Sequence, residues 1–131
     1  MFDVTFIDIY CDSSTTGYGI YVPMTKQGFK GAYTEKKTVN EGEFIAMLSA
    51  LTVAEELCMT SNEIIIYSDS QLVVNSLTKN WTVRASNLIP WVEKCREKYA
   101  ALIPHGIRVH WIPREKNQIA DALSHGGDIS G

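Results

Sequence analysis

The stretch IYSDSQLVVNSL, residues 66–77, decides how the chain folds. Ile65, Ile66 and Tyr67 run into Ser68 and Asp69, and a helix-like apolar spacing begins at Leu72 and Val73. A strand therefore hands over to a helix at Asp69. A carboxylate at that junction can cap the helix, or it can hold a ligand at the carboxyl end of the strand. The wider run EIIIYS (63–68) is continuous and mostly apolar, which predicts a strand covered on both faces.

Upstream, VTFIDIYCD (4–12) alternates Phe6, Asp8 and Tyr10 with Ile7, Ile9 and Cys11 and reads as the first strand. After the turn material SSTTG, two short strands over 18–24 and 28–34, bent at Gly17, Gly19, Gly28 and Gly31, predict an antiparallel meander. The period then changes. From Glu41 to Met59, Phe44, Leu48, Leu51 and Cys58 recur at helical spacing, with Ala46, Ala50 and Ala54 adding propensity.

Downstream, a short helix from Ser70 to Leu77 leads through the polar connector TKNWTVRASN to a helix over Pro90–Leu102, with Trp91, Cys95, Tyr99 and Leu102 on one face. IRVHWIP (107–113) is a strand whose alternation points either His110 or Trp111 at the core. NQIADALSH (117–125) is a last short helix, ended by Gly126 and Gly127. The order β-β-β-α-β-α-α-β-α predicts an α/β fold with a five-stranded mixed sheet. Three strands form the antiparallel meander, two are parallel, and helices lie on both faces. One domain over 1–125 is expected, with a flexible tail at 126–131.

The chain has 131 residues, a net charge of −3 and three cysteines without C-x-x-C spacing. That composition fits one core and speaks against a strongly basic nucleic-acid binder. The odd cysteine count reads as reduced thiols rather than a disulfide or zinc framework. No apolar run reaches the roughly 18–20 residues of a membrane span, and MFDVTFID lacks the pattern of a signal peptide. A cytosol-like (cytoplasmic) location is expected.

Four acids stand out, each with a structural alternative. Asp12 in IYCDSS could bond its own turn. Glu43 shares an N-x-x-E spacing with Asn40 that would make a capping box. Asp69 could cap its helix. Asp121 sits inside the last helix among Ile119, Ala120, Ala122 and Leu123, with no N-terminal dipole expected to favour it. Taken together the four are harder to explain structurally. Strands one and four would be neighbours where the topology reverses, bringing Asp12 and Asp69 into one crevice. Clustered carboxylates repel and call for a compensating charge. Hard divalent cations with oxygen ligands supply it, and two such ions can activate a water against a phosphodiester.

These residues also carry a resemblance. YCDS, NEGEF, YSDSQLVV and WIPREKNQIADAL resemble the motifs of type I ribonuclease H, and the likeness runs from about Phe6 to His125. It implies a ribonuclease H fold and endonucleolytic hydrolysis of the RNA strand of an RNA–DNA hybrid. The products would carry 5′-phosphate and 3′-hydroxyl ends. It implies two Mg²⁺ or Mn²⁺ ions per site, held by Asp12, Glu43, Asp69 and Asp121. By the same likeness Asn40 and Gln71 face the hybrid's minor groove, Thr38 lies near a DNA phosphate, and Ser13 joins the substrate contacts. The chain would act as a monomer, alone or beside a polymerase or replication machinery.

This sequence departs from the family pattern in three places. The loop SSTTGYG is short, the connector at 78–89 holds only Lys79 and Arg84 in place of a basic handle, and PREKNQ lacks a loop histidine. His125, four residues past Asp121, reads first as a helix-end histidine and second as an auxiliary group replacing that histidine.

Other readings are a DNA resolvase or integrase-like nuclease of the same fold, and a non-catalytic domain that binds nucleic acid or a polymerase. A phospho-accepting receiver would need regular β-α alternation from the start. Trp81, between Lys79 and Arg84, could meet a backbone or anchor the core. Ser13, Ser14 and Ser70 lack a Ser-His-acid pattern. Setting the four acids aside leaves the remaining chain near neutral, compatible with a weakly binding groove.

Overall fold

In the computed structural model, which describes residues 6–58 and 63–129, the meander is β1 (Phe6–Ser13), β2 (Gly17–Val22) and β3 (Gln27–Ala32). Helix α1 (Val39–Leu57) crosses to β4 (Glu63–Ser68), which leads into α2 (Gln71–Thr78) and α3 (Ile89–Leu102). Strand β5 (Ile107–Trp111) and the short α4 (Gln118–Ser124) follow. The sheet order is β3-β2-β1-β4-β5, with β1, β4 and β5 parallel and the meander antiparallel. The expected mixed sheet is the one observed. The expected strand start at Val4–Thr5, the helix end at Met59 and the tail end at 130–131 lie outside the described residues.

One face of the sheet carries the core. Ile7 and Ile9 of β1, Ile64 and Ile66 of β4, and Ile107 and Val109 of β5 are buried there with Phe44, Met47 and Leu51 of α1. Small Ala46, Ala50 and Ala54, fully buried, let α1 lie close to the sheet. Helix α4 packs on β1, β2 and β3, over Gly19, whose direction is opposite to that of buried Ile20.

Several packing expectations need correction. EIIIYS is covered mainly on one face: Ile64, Ile66 and Ser68 are buried, while Ile65 and Tyr67 are only half-buried. On that second face Tyr67 stacks on Tyr10 at 5.0 Å and meets His110 edge-on at 6.1 Å. His110 and Trp111 are both exposed, because Val109 fills the core position and Trp111 lies at the strand's end. In α3 the buried face is Val92, Cys95, Tyr99 and Leu102, with Trp91 half-buried. In α1 Met47 is in the core, and Leu48 and Cys58 pack at its margin. Trp81 is exposed and does not anchor the core.

The helix starts also differ from expectation. Thr38 is the N-cap of α1: its hydroxyl accepts from Glu41 N at 3.2 Å, and its own N–H donates to Glu41 Oε1 at 3.2 Å. The capping box is therefore Thr38–Glu41, not Asn40–Glu43. Ser70, not Asp69, caps α2, accepting from Val73 N at 3.2 Å. Because α4 is only seven residues long, Asp121 lies in its first turn, where the helix dipole favours a carboxylate after all. Ser70→Ala and Thr38→Ala are each expected to lower unfolding free energy in urea by about 1 kcal/mol. Glu43→Gln removes no cap and should cost none of that amount.

Candidate active site

The parallel register Tyr10↔Tyr67 puts Asp12, two residues on, level with Asp69 at the carboxyl ends of neighbouring strands. Glu43 reaches the same place from the first turns of α1. Gly42 makes this possible: a Cβ there would run into Ser13 Oγ and lie 3.1 Å from Ser14 O. Tyr33 ties the two segments, sharing a 2.9 Å hydrogen bond with Ser13 Oγ and donating to Gly42 O at 3.3 Å. With the caps assigned to Thr38 and Ser70, Glu43 and Asp69 have no capping duty.

One carboxylate oxygen from each of Asp12, Glu43 and Asp69 lies within 4.8 Å of the others. Asp12 is 3% and Glu43 8% exposed. They open onto a cleft of about 590 Å³ that Asn40, Arg114, Asp121 and His125 also line. Asp121 is close enough to Asp12 to act on its charge, although it stands outside the tight triad. His125 Nε2 sits 3.5 Å from Asp121 Oδ1.

The cluster resists ionisation. Burial, then the Asp69 charge, raises the Asp12 carboxyl to about 7, with a backbone hydrogen bond from Ser13 opposing. Burial, then Asp12 and Asp69, raises Glu43 to about 9, opposed by Arg114. Asp69 is raised by burial and pulled back by Asn117 and Arg114. Glu43 Oε2 is buried with no hydrogen-bond partner. A buried acceptor without a donor, in a nest of like charges, is the environment that an oxygen-seeking cation relieves. The donor set fits a divalent metal ion, and the triad could hold one.

The remaining expected contacts divide. Asn40 and Ser13 line the cleft, whereas Thr38 and Gln71 do not. The Ser13 hydroxyl is engaged locally, with Ser14 O at 2.9 Å and with Tyr33. Thr38 is occupied as a cap, and Gln71 opens α2 on an exposed surface.

Two groups had escaped the sequence reading. Arg114, on a 3-10 turn over Arg114–Lys116, brings a cation to the cleft. Asn117, 1% exposed, donates from Nδ2 to Cys11 O at 2.8 Å and so anchors the start of α4 to β1. In sequence both look like ordinary loop residues. The usable signal was their spacing: a polar loop placed directly before the helix that bears Asp121.

A five-stranded mixed sheet with acids gathered at the ends of β1 and β4 defines a ribonuclease H-like fold. Residues 2–127 match the family described as "Reverse transcriptase-like", and the chain belongs to that family within the ribonuclease H-like superfamily. YpeP of Bacillus subtilis (strain 168) is 28% identical over 118 residues, which are 86% of this chain and 52% of that protein. The chain thus spans about half the length of this curated relative. Among solved structures, LC11-RNase H1 in complex with an RNA/DNA hybrid superposes with a TM-score of 0.77 at 22% identity, covering 92% of this chain and 95% of that one. The N-terminal RNase H domain of Rv2228c from Mycobacterium tuberculosis gives 0.72 at 24% identity, covering 96% and 94%. At these identities the likeness is one of fold. Among the described residues no helix is long and apolar enough to cross a membrane.

The pKa shifts set a pH dependence. Both carboxyls titrate higher in the folded chain than unfolded, so the folded state holds more protons between the two values, and stability falls as pH rises. In metal-free buffer Tm should fall from the ordinary carboxylate range near 4.5 up to about 9. Asp12→Asn or Glu43→Gln should flatten that slope. A wild-type Tm that climbs across this window contradicts the assignment.

Proposed function

We propose that this chain is a ribonuclease H, hydrolysing the RNA strand of RNA–DNA hybrids to 5′-phosphate and 3′-hydroxyl ends. Its cofactor is Mg²⁺ or Mn²⁺, two ions held by Asp12, Glu43, Asp69 and Asp121. The observation that carries the reading is the buried triad, whose charge Arg114 offsets only in part among the described residues. Its family membership and fold agree with a nuclease. The chain works as a monomer in a cytosol-like compartment, alone or beside a polymerase.

When bound, the ions supply Lewis-acid activation of the phosphodiester and a water of lowered pKa. The protein's part is preorganisation. Asp12 Oδ1 accepts from Ser13 N at 2.8 Å, which fixes the carboxylate beside Asp69 and Glu43. Glu43 Oε2 is buried with no hydrogen-bond partner, and one carboxylate oxygen of Glu43 lies within 4.8 Å of those of Asp12 and Asp69. Asp69 is held through its main chain, where Trp111 Nε1 donates to Asp69 O at 3.1 Å. Arg114 offers a guanidinium beside the acids, suited to a phosphate oxygen of the substrate. Asn40, at the cleft wall, presents an amide able to bond a 2′-hydroxyl, the group that separates RNA from DNA.

The test is cleavage of labelled RNA–DNA hybrid, duplex DNA and duplex RNA in Mg²⁺ and in Mn²⁺. Hybrid alone should be cut, in its RNA strand. Asp12→Asn and Asp69→Asn should each lower kcat by at least about a hundredfold while keeping the fold. Arg114→Ala should lower kcat/KM by about tenfold or more, with Arg114→Lys recovering part of it. Equal cleavage of duplex DNA would instead make the chain a DNA nuclease of the same fold. Near wild-type rates in Asp12→Asn would remove the metal assignment.

A further inference from the structure

Asp12, Glu43 and Asp69 come from β1, α1 and the junction after β4, whereas Asp121 rides on α4. A helix of seven residues is too short to hold its own shape in water. Its position follows from what it docks on, and it packs on β1, β2 and β3. The contact with β2 is as close as a main chain allows. A Cβ at Gly19 would run into the Ala120 carbonyl oxygen and lie 2.5 Å from Leu123 Cβ and 2.7 Å from Ser124 N. Ala120 precedes Asp121, so the height of Asp121 above the sheet follows the fit at Gly19.

The far end of α4 is held separately. Lys30 of β3, the register partner of Gly19, donates from Nζ to Gly126 O at 2.9 Å and Gly127 O at 3.1 Å. In that turn the amides of His125, Gly126 and Gly127 bond back to Asp121, Leu123 and Ala122. An ammonium there also meets the negative end of the helix dipole. On the opposite side, Ser14 Oγ donates to Ser124 O at 2.8 Å.

We propose that Lys30 is a positioning residue for the metal-ligand set. By locking the turn after α4 it holds Asp121 against the other three acids, while Gly19 sets the spacing. The inference rests on the four-acid reading above. Lys30 is exposed and is not among the residues lining the acid cleft, so it acts through α4 and its loss leaves the core intact.

The experiment uses the full chain with Mn²⁺ as the probe. Mn²⁺ affinity is read from thermal stabilisation, and amide exchange of α4 is read in metal-free buffer. Lys30→Met should weaken Mn²⁺ affinity about tenfold, the range found for groups that orient ligands. Lys30→Arg should restore it. In an Asp121→Asn background Lys30→Met should add nothing, because the interaction that it supports is already gone. The α4 amides should exchange faster in Lys30→Met without metal.

Unchanged α4 exchange, a wild-type Mn²⁺ midpoint in Lys30→Met, or an undiminished effect in the Asp121→Asn background would each overturn the proposal. A wild-type chain that Mn²⁺ does not stabilise, or one indifferent to Asp121→Asn, would instead remove the four-acid reading. The metal-free exchange would still decide whether Lys30 locks α4.

Discussion

Three carboxylates with oxygens inside 4.8 Å, two of them nearly out of reach of water, repel one another at short range and low effective dielectric. The surrounding structure is arranged to sustain that repulsion. Parallel pairing of β1 with β4 brings Asp12 level with Asp69. Gly42 and the Ser13–Tyr33 link press the start of α1 against the same corner. Arg114 offsets part of the charge on Glu43 and Asp69 but leaves Asp12 and Glu43 with raised pKa values. A fold that had only to be stable would gain from replacing these acids. Gathered in a cleft, they form a donor set that could hold a divalent cation.

The path from sequence to site was legible where it depended on periodicity and topology. Alternation in 4–12, the apolar run at 63–68 and the helical spacing after Glu41 were enough to place β1, β4 and α1. Their order then brings Asp12, Glu43 and Asp69 together. What stayed hidden depended on single-residue phase. Thr38–Glu41 and Asn40–Glu43 offer capping-box spacings two residues apart, and only the point where the chain leaves extended geometry selects the first. Asp69 and Ser70 compete for one cap in the same way, and the hydroxyl wins. These one- and two-residue choices matter to function, since each releases an acid from a structural duty.

Other differences come from tertiary context. Half-burial of Ile65 and Tyr67 reflects a second sheet face that α4 covers mainly over the meander, which an apolar run does not disclose. His110 is exposed because it faces away from the core position that Val109 fills, and Trp111 because it ends β5. Arg114 and Asn117 stand in a polar loop whose composition resembles any solvated turn. Only the docking of α4 turns that loop toward the acids. The glycines at 17, 19, 28 and 31 read as bends, yet at Gly19 the main chain of α4 lies directly against the sheet.

The metal-free cluster holds protons that an ordinary set of acids would have lost at neutral pH, and a divalent ion bound there would replace them. Calorimetric titration with Mn²⁺ at pH 7, repeated in buffers of different ionisation enthalpy, measures this directly. With Glu43 near 9 and Asp12 near 7, ion binding should release about one proton or more per chain, and Glu43→Gln should release fewer. Binding with no proton release, or no binding at all, would contradict the account.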